Sequence, residues 1–535
     1  MRARLQTAAA ALALGTATPA LAGAVTGPVV LADPAATTGA AASPVRLMSG
    51  EGWLNQVGST PLAPVIRGAG GDKADRADPD AGSKPSGVRL TGAGIGVALI
   101  DSGVSPVPGL NSAGKVINGP DLSFESQAPN LRHLDTYGHG THMAGIIAGS
   151  DPATVTGTAR FDGVAPGAHI VALKVASSDG ASDVSQVIAG IDWVVEHRTD
   201  PGLNIRVLNL SFGTESTQPA TLDPLAFAVE QAWQKGIVVV VSAGNDGFTA
   251  NNLTMPAADP DVIAVGAADA KGTETRADDV VADFSNRGNA VRHADVLASG
   301  RSVVSLRVPG SYVDRTYPTA RLSTTADPAQ RFLRGSGTSQ AAAVVSGAVA
   351  LLLQQRPSLT PDQVKRLLMS TAKPITGADA YAAGSGQIDI LTAATTPRPS
   401  SAPQVNVAAT GLGTLEKSRG GVHVYDPSNN VMLSGEKDIF GKTWSAGTWA
   451  AASRTQNSWK DGSFNGTLWA GKAFGADVSG QRTWSSVAWT GRSWAGANWA
   501  GRSWADAQWT GRSWAGRSWA GRSWASADWS GAPWA

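Results

Sequence analysis

The 535-residue chain has no cysteine, which excludes disulfides, thiol nucleophiles, thiolate zinc sites and iron–sulfur clusters. Charge is also sparse. Asp, Glu, Lys and Arg make up 16% of the residues and the formal net charge is +1, so no whole-chain attraction to nucleic acid or to an acidic substrate is available. Long apolar runs are missing as well: Ala8 to Leu14 falls short of the roughly 20 residues that cross a bilayer, and no later stretch reaches that length. An integral membrane protein is not expected. Tryptophan is rare through most of the chain and then abundant, with 15 of 18 lying between Trp444 and Trp534. Two design rules therefore share one polypeptide.

The first 22 residues read as an export signal. Arg2 and Arg4 precede an alanine-rich apolar run, and Ala20-Leu21-Ala22 offers a small-x-small cleavage site, so a secreted, extracellular protein is expected. Residues 23–87, rich in Ala, Gly, Pro and Asp without helical or strand period, read as a leader or propeptide-like segment. Over 88–394 the pattern changes to short apolar strands alternating with helices. The runs Ile95–Ile100, Ile170–Val175, Val207–Leu210, Ile237–Val241 and Val262–Val265 are expected to be buried strands. Val184, Val187, Ile188, Ile191, Val194 and Val195 mark one face of a helix that Ser182 or Asp183 caps, a second helix ends at Gly236, and Thr360-Pro361 opens a third. This alternation predicts an α/β fold, a doubly wound and mostly parallel sheet covered on both faces. Residues 395–403 read as a linker, 404–442 as an adaptor too short to fold alone, and 443–535 as a repeat region.

In such a sheet reactive groups gather beyond the carboxyl ends of strands. Asp101 follows the first run in DSG, Asn245 follows the four-valine run in SAGND, His139 begins HGTHMAG, and Ser339 sits in GTSQAAA at the head of a small-residue helix. A carboxylate, an imidazole, a hydroxyl and an amide donor are the parts of an acyl-transfer site. His142, about one turn from His139, reads as a structural partner.

These motifs, in the chain order Asp, His, Ser, resemble the subtilisin-like serine peptidases of peptidase family S8, of the secreted actinobacterial type with a Trp-rich C-terminal repeat. Further matches are Ser211-Phe212-Gly213, the run Met255 to Ala267, and Phe284-Ser285-Asn286. The resemblance implies a serine endopeptidase acting on polypeptides, with a catalytic triad of Ser339 as nucleophile, His139 as base and Asp101 as its orienting carboxylate. Asn245 and the Ser339 backbone N–H would form the oxyanion hole. Substrate would pair with Ser211, Phe212 and Gly213 and meet a wall at Ala243 and Gly244. It implies no cofactor for catalysis and raises structural calcium, for which no acidic spacing in the sequence suggests a site. Where the family has GTSMAxPHV, Gln340, Ala343 and Val344 replace Met, Pro and His. The stretch from Arg307 to Arg334 is an insertion expected to rim the active site.

From Trp444 the aromatic residues keep a five-residue register, with Arg482, Arg492, Arg502, Arg512, Arg517 and Arg522 each two positions before a ring. Neither helix nor strand has that period. A repetitive β structure built on short turns and a disordered low-complexity tail both remain open. The array suits attachment to a cell wall or glycan, and in a secreted protein nucleic acid is not the expected partner. On this reading removal of everything beyond Pro403 leaves hydrolysis intact. The alternative class is a surface adhesin or structural protein whose subtilisin-like domain is weak or inactive.

Overall fold

Five apolar runs form the parallel centre of an eight-stranded sheet. The computed structural model describes residues 90–468, apart from 153–154, 156–159, 274, 323–326, 422 and 427–430. The chain divides into units of residues 1–44 and 45–535, and all described residues belong to the second. The expected export signal, most of the leader and the register beyond Leu468 lie outside the described residues.

The strands are β1 (Gly96–Asp101), β2 (Val116–Asp121), β3 (His169–Lys174), β4 (Ile205–Leu210), β5 (Val238–Ser242), β6 (Ile263–Asp269), β7 (Val280–Val281) and β8 (Val296–Ser299). Their order is β2-β3-β1-β4-β5-β6-β7, with β8 also on β6. Every pairing is parallel except β6 with β7. The order reverses direction at β1: β3 lies on one side of it and β4 on the other, so the ends of β1 and β4 flank a crevice.

Helix boundaries follow local chemistry. α1 (His139–Ala148) is buried throughout. α2 (Val184–His197) begins at Asp183, which takes the Ser185 N–H while Gln186 reaches back to the Asp183 N–H; Asp183, of the two candidates, is the cap. α3 (Pro224–Gln234) has Asp223 as cap and Pro224 in its first turn, and Gly236 turns the chain after it at φ 84°. The hairpin of β9 (Val303–Leu306) and β10 (Phe332–Gly335) encloses the insertion, whose one-turn helix α4 (Tyr312–Thr316) donates Tyr312 and Val313 N–H groups to the Thr136 and Tyr137 carbonyls just before α1. The insertion therefore flanks the His139 helix. α5 (Thr338–Gln355), buried from Thr338 through Leu353, packs on β4, β5, β6, β8 and α1. α6 (Pro361–Thr371) starts with the Thr360 capping box. α7 (Ala380–Ala383) and α8 (Ile390–Thr395) follow.

Beyond α8 the chain does not leave the domain. Residues 396–402 are fastened along α6, where Gln363 Nε2 donates to the Pro399 carbonyl at 2.9 Å and Arg366 bonds to that of Ala402. α9 (Leu415–Arg419) then delivers Arg419, fully buried, to the Asp183 carboxylate at 2.6 Å. After the short pair β11 (Tyr425–Asp426) and β12 (Val431–Met432), α10 (Ala446–Arg454) lays Trp449 against Phe227 of α3, and Trp449 Nε1 donates to Asp192 Oδ2 at 2.8 Å. Trp459 Nε1 donates to the Ala189 carbonyl at 2.8 Å. Trp444, Trp449, Trp459 and Phe464 thus belong to the main hydrophobic core, and the boundary expected at 442/443 coincides with no change in packing. The adaptor and the first register positions bury apolar faces of α2 and α3, so the expectation that everything beyond Pro403 is dispensable is corrected.

The five-residue step has a local explanation in the described part of the register. Trp459 and Phe464 are directly opposed partners of β13 (Trp459–Lys460) and β14 (Ser463–Phe464), and Ser463 opposes Leu468 of β15 (Thr467–Leu468). The two-residue turns Asp461-Gly462 and Asn465-Gly466 have positive φ at both positions, as type I′ hairpins require, and residues five apart then face each other.

Candidate active site

Asp101 ends β1 and His139 opens α1. The His139 Nδ1 lies 2.6 and 2.7 Å from the two Asp101 carboxylate oxygens. A carboxylate only accepts, so Nδ1 carries the proton and Nε2 of the neutral ring is left as the base. The close approach of α1 to β1 depends on glycine: a Cβ on Gly140 would lie 2.1 Å from the Gly103 carbonyl oxygen. Asp101 is fixed from its other side by the Ser102 N–H at 2.7 Å.

Ser339 is the second residue of α5, where its N–H has no intrahelical acceptor and the helix dipole favours negative charge. Residues adjoining the two reactive side chains meet at Gly335: a Cβ there would sit 2.6 Å from Gln340 Nε2 and 3.0 Å from His142 Cε1. The first turns of α1 and α5 are thus neighbours. His142 is fully buried, its Nε2 faces the Leu333 carbonyl at 3.2 Å, and burial pushes its pKa down to about 3, which suits a structural role.

Asn245 lies beyond β5. Its Oδ1 accepts from Thr338 N–H at 2.8 Å and Thr338 Oγ1 at 3.0 Å, which leaves the Nδ2 amide as donor beside the head of α5. The loop is braced by Asn286, whose Oδ1 accepts the Asp246 N–H at 2.6 Å. Gly244, at φ 112°, leaves room for that side chain, since a Cβ there would meet Asn286 Nδ2 at 2.5 Å. Asp101, His139, Ser339 and Asn245 are only 5–8% exposed, so charge formed among them is poorly screened by water.

Ser211 Oγ reaches the Ser339 carbonyl oxygen at 3.4 Å, placing the Ser211 to Gly213 run next to the head of α5. Thr214 pairs antiparallel with Met255. Phe212 and Ala243 are buried members of the core.

A model of the subtilase family, peptidase S8, matches residues 92–407, more than half of the chain. The chain belongs to the subtilase family. It is a serine-type endopeptidase of the subtilisin-like kind. The subtilase is 36% identical to the serine protease AprX of Bacillus subtilis over 310 residues, 57% of this chain and 67% of AprX. It is 34% identical to subtilisin DY of Bacillus licheniformis over 306 residues, covering 92% of that protein. It is 32% identical to the minor extracellular protease Epr of Bacillus subtilis over 276 residues, 52% of this chain and 34% of Epr.

Sequence reasoning missed the support beneath the subtilase's site. Asp135, fully buried, accepts from Gly138 N–H at 2.6 Å, Thr141 N–H at 2.7 Å and Ser102 Oγ at 2.8 Å. It caps α1 from outside and joins that helix to the residue beside Asp101. Burial raises its pKa despite those three donors. Lys174, at the end of β3, donates to the Ser102 carbonyl at 3.0 Å and pairs with Glu125 at 2.8 Å. Burial alone would lower its pKa, but Glu125, Asp121 and Asp135 outweigh burial and hold the ammonium above its ordinary value. The available signal was Asp four residues before His139, which in sequence looks like any turn residue.

Proposed function

We propose that this subtilase cleaves polypeptides through an acyl-enzyme formed on Ser339, with His139 as general base and then general acid, and Asp101 orienting the imidazole. The observation that carries the reading is the double contact of His139 Nδ1 with Asp101, because it fixes the tautomer in which Nε2 accepts the Ser339 proton. Ser339 Oγ attacks the scissile carbonyl, and the imidazolium, stabilised by Asp101, returns the proton to the leaving amine. Asn245 Nδ2 and the Ser339 N–H receive the oxyanion. Substrate adds as a strand beside Ser211, Phe212 and Gly213, with Ala243 and Gly244 along its side chains. Protonation of His139 removes the base, so activity falls on the acid side.

The test is labelling of the full chain with a fluorophosphonate, with casein hydrolysis in parallel. Ser339→Ala abolishes both, and labelling that persists unchanged in that variant rejects the nucleophile. Asn245→Ala lowers kcat by about 100- to 1,000-fold with little change in KM, the magnitude known for subtilisin, a member of the same family. A raised KM at unchanged kcat counts against the oxyanion role.

We also propose that the enzyme is secreted and that the register beyond Leu468 attaches it to a cell wall or glycan. The residue 1–22 pattern, the printed description of Epr as extracellular, and the basic aromatic repeats support this reading. Among the described residues no helix is long and apolar enough to cross a membrane. A chain ending at Leu468 is expected to remain in the supernatant of washed cells while the full chain sediments; equal sedimentation rejects attachment through the repeats.

A further inference from the structure

Away from the catalytic residues, Glu230 of α3 meets Asp259 and Asp261 of the loop entering β6. One oxygen from each of the three carboxylates lies within 4.8 Å of the others. Glu230 and Asp259 are 2% and 1% exposed, while Asp261 is half-buried and opens toward solvent. Both Glu230 oxygens accept the Ala409 N–H, at 2.8 and 2.9 Å, and Asp261 Oδ1 accepts from Asn406 Nδ2 at 2.6 Å. Asp259 Oδ1 takes the Asp261 N–H at 2.8 Å, but Asp259 Oδ2, buried in the cluster, meets no donor.

The neighbouring cations do not answer this charge. Arg292 binds Asp295 at 2.9 Å and Lys365 binds it at 3.3 Å, and both also donate to carbonyls of the 257–262 loop. Four carboxylates, Glu230, Asp259, Asp261 and Asp295, thus face two cations, a deficit of two positive charges. Asp362, which accepts from Trp233 and Gln404 nearby, adds no compensation. A proton shared between Glu230 and Asp259 would relieve one charge and leave Asp261 unanswered.

We propose that Glu230, Asp259 and Asp261 bind a divalent cation, calcium above all. The donors are hard oxygens on separate elements, and calcium accepts irregular sets of six to eight oxygens, whereas magnesium demands a near-ideal octahedron. Water reaching the cluster past Asp261 completes the shell. The ion ties α3, the loop that begins at Asn245 and the strap around Ala409 into one unit. Burial, the larger cause, and the neighbouring carboxylate push Glu230 up to about 8 and Asp259 up to about 6, as expected of acids short of positive charge.

The test uses full-length chain carrying Ser339→Ala, to prevent self-digestion, stripped with a chelator and titrated with calcium at about pH 8 by calorimetry and thermal melting. The expected result is one saturable site and a rise in Tm. Asp259→Asn and Glu230→Gln should lose that rise while melting no lower than the parent without calcium, because each removes a repelling charge. Asp261→Ala, on the open side where folding is not at stake, should weaken calcium binding by at least about tenfold. A calcium-dependent rise that survives in all three variants puts the ion elsewhere and overturns the proposal. Failure of the parent to respond to calcium overturns it too, and leaves a shared proton as the occupant.

Discussion

Asp135 shows how one buried carboxylate can set the geometry of two others' chemistry. Its oxygens hold the start of α1, which carries His139, and Ser102, which adjoins Asp101. Asp135→Asn keeps the shape but turns an amide against an N–H donor, so either α1 or Ser102 must shift. A misalignment of the imidazole costs rate more than affinity. Asp135→Asn is expected to lower kcat about tenfold, or 1.4 kcal/mol, at nearly constant KM, with fluorophosphonate labelling of Ser339 slowed in parallel. Stopped assays at saturating substrate check it, and a loss confined to KM would mean that Asp135 serves the substrate groove instead. Gln340 is the remaining puzzle at this scale: its amide is buried beside the nucleophile and neither polar atom finds a partner among the described residues, and nothing in the structure explains its choice.

At the scale of elements, α2 is clamped by the chain's C-terminal half through two acids. Asp183 caps its first turn and receives Arg419; the pair is wholly buried, and Arg419→Ala, which strands a buried carboxylate, should destabilise the protein by about 3–5 kcal/mol in denaturant titration. Asp192, in the middle of α2, accepts Trp449 Nε1 and Ser453 Oγ. Burial, with Glu196 adding to it, raises Asp192 to about 6 from 3.8, although bonds from Ser453 and Trp449 act the other way. The folded value exceeds the unfolded one, so the stabilising contribution of the protonated acid is full below about pH 4 and is lost as pH rises to about 6. Asp192→Asn keeps an acceptor for Trp449 without the charge. It should flatten the pH dependence of Tm between about 4 and 6 and raise Tm at pH 8 by a few degrees. A lower Tm at pH 8 would show that the ionised form strengthens the clamp instead.

For the whole molecule the decisive question is where the folded unit ends. The family match stops at residue 407, yet Arg419, Trp449 and Trp459 fill or pair groups of α2 and α3. A chain ending at Pro403 would leave Asp183 uncompensated and expose the apolar faces beneath Trp449 and Trp459. We expect it to aggregate or to melt at least about 10 °C lower, with soluble-peptide hydrolysis falling accordingly. A chain ending at Leu468 retains all these contacts and is expected to match the full chain in Tm and kcat. Equal stability of the two truncations would show that the strap is ornamental to folding.

The sequence by itself determined the strands, the capped helices and the order of the reactive motifs, because each depends on near neighbours: an apolar run, a cap with its first turn, a glycine beside a polar group. Asp101, Asn245 and Ser339 were legible because they follow strands or head a helix. What the chain does with acids far apart in sequence was not legible. Asp135 reads as a turn residue until α1 is seen to end on it, and Glu230, Asp259 and Asp261 are ordinary acids until α3 and the loop into β6 converge. The tertiary structure also decided the fate of Trp444, Trp449, Trp459 and Phe464. Periodicity announces a repeat but carries no information about which surface it covers, and these rings are core because α2 and α3 present an apolar face with Asp192 and the Ala189 carbonyl placed to receive their N–H groups.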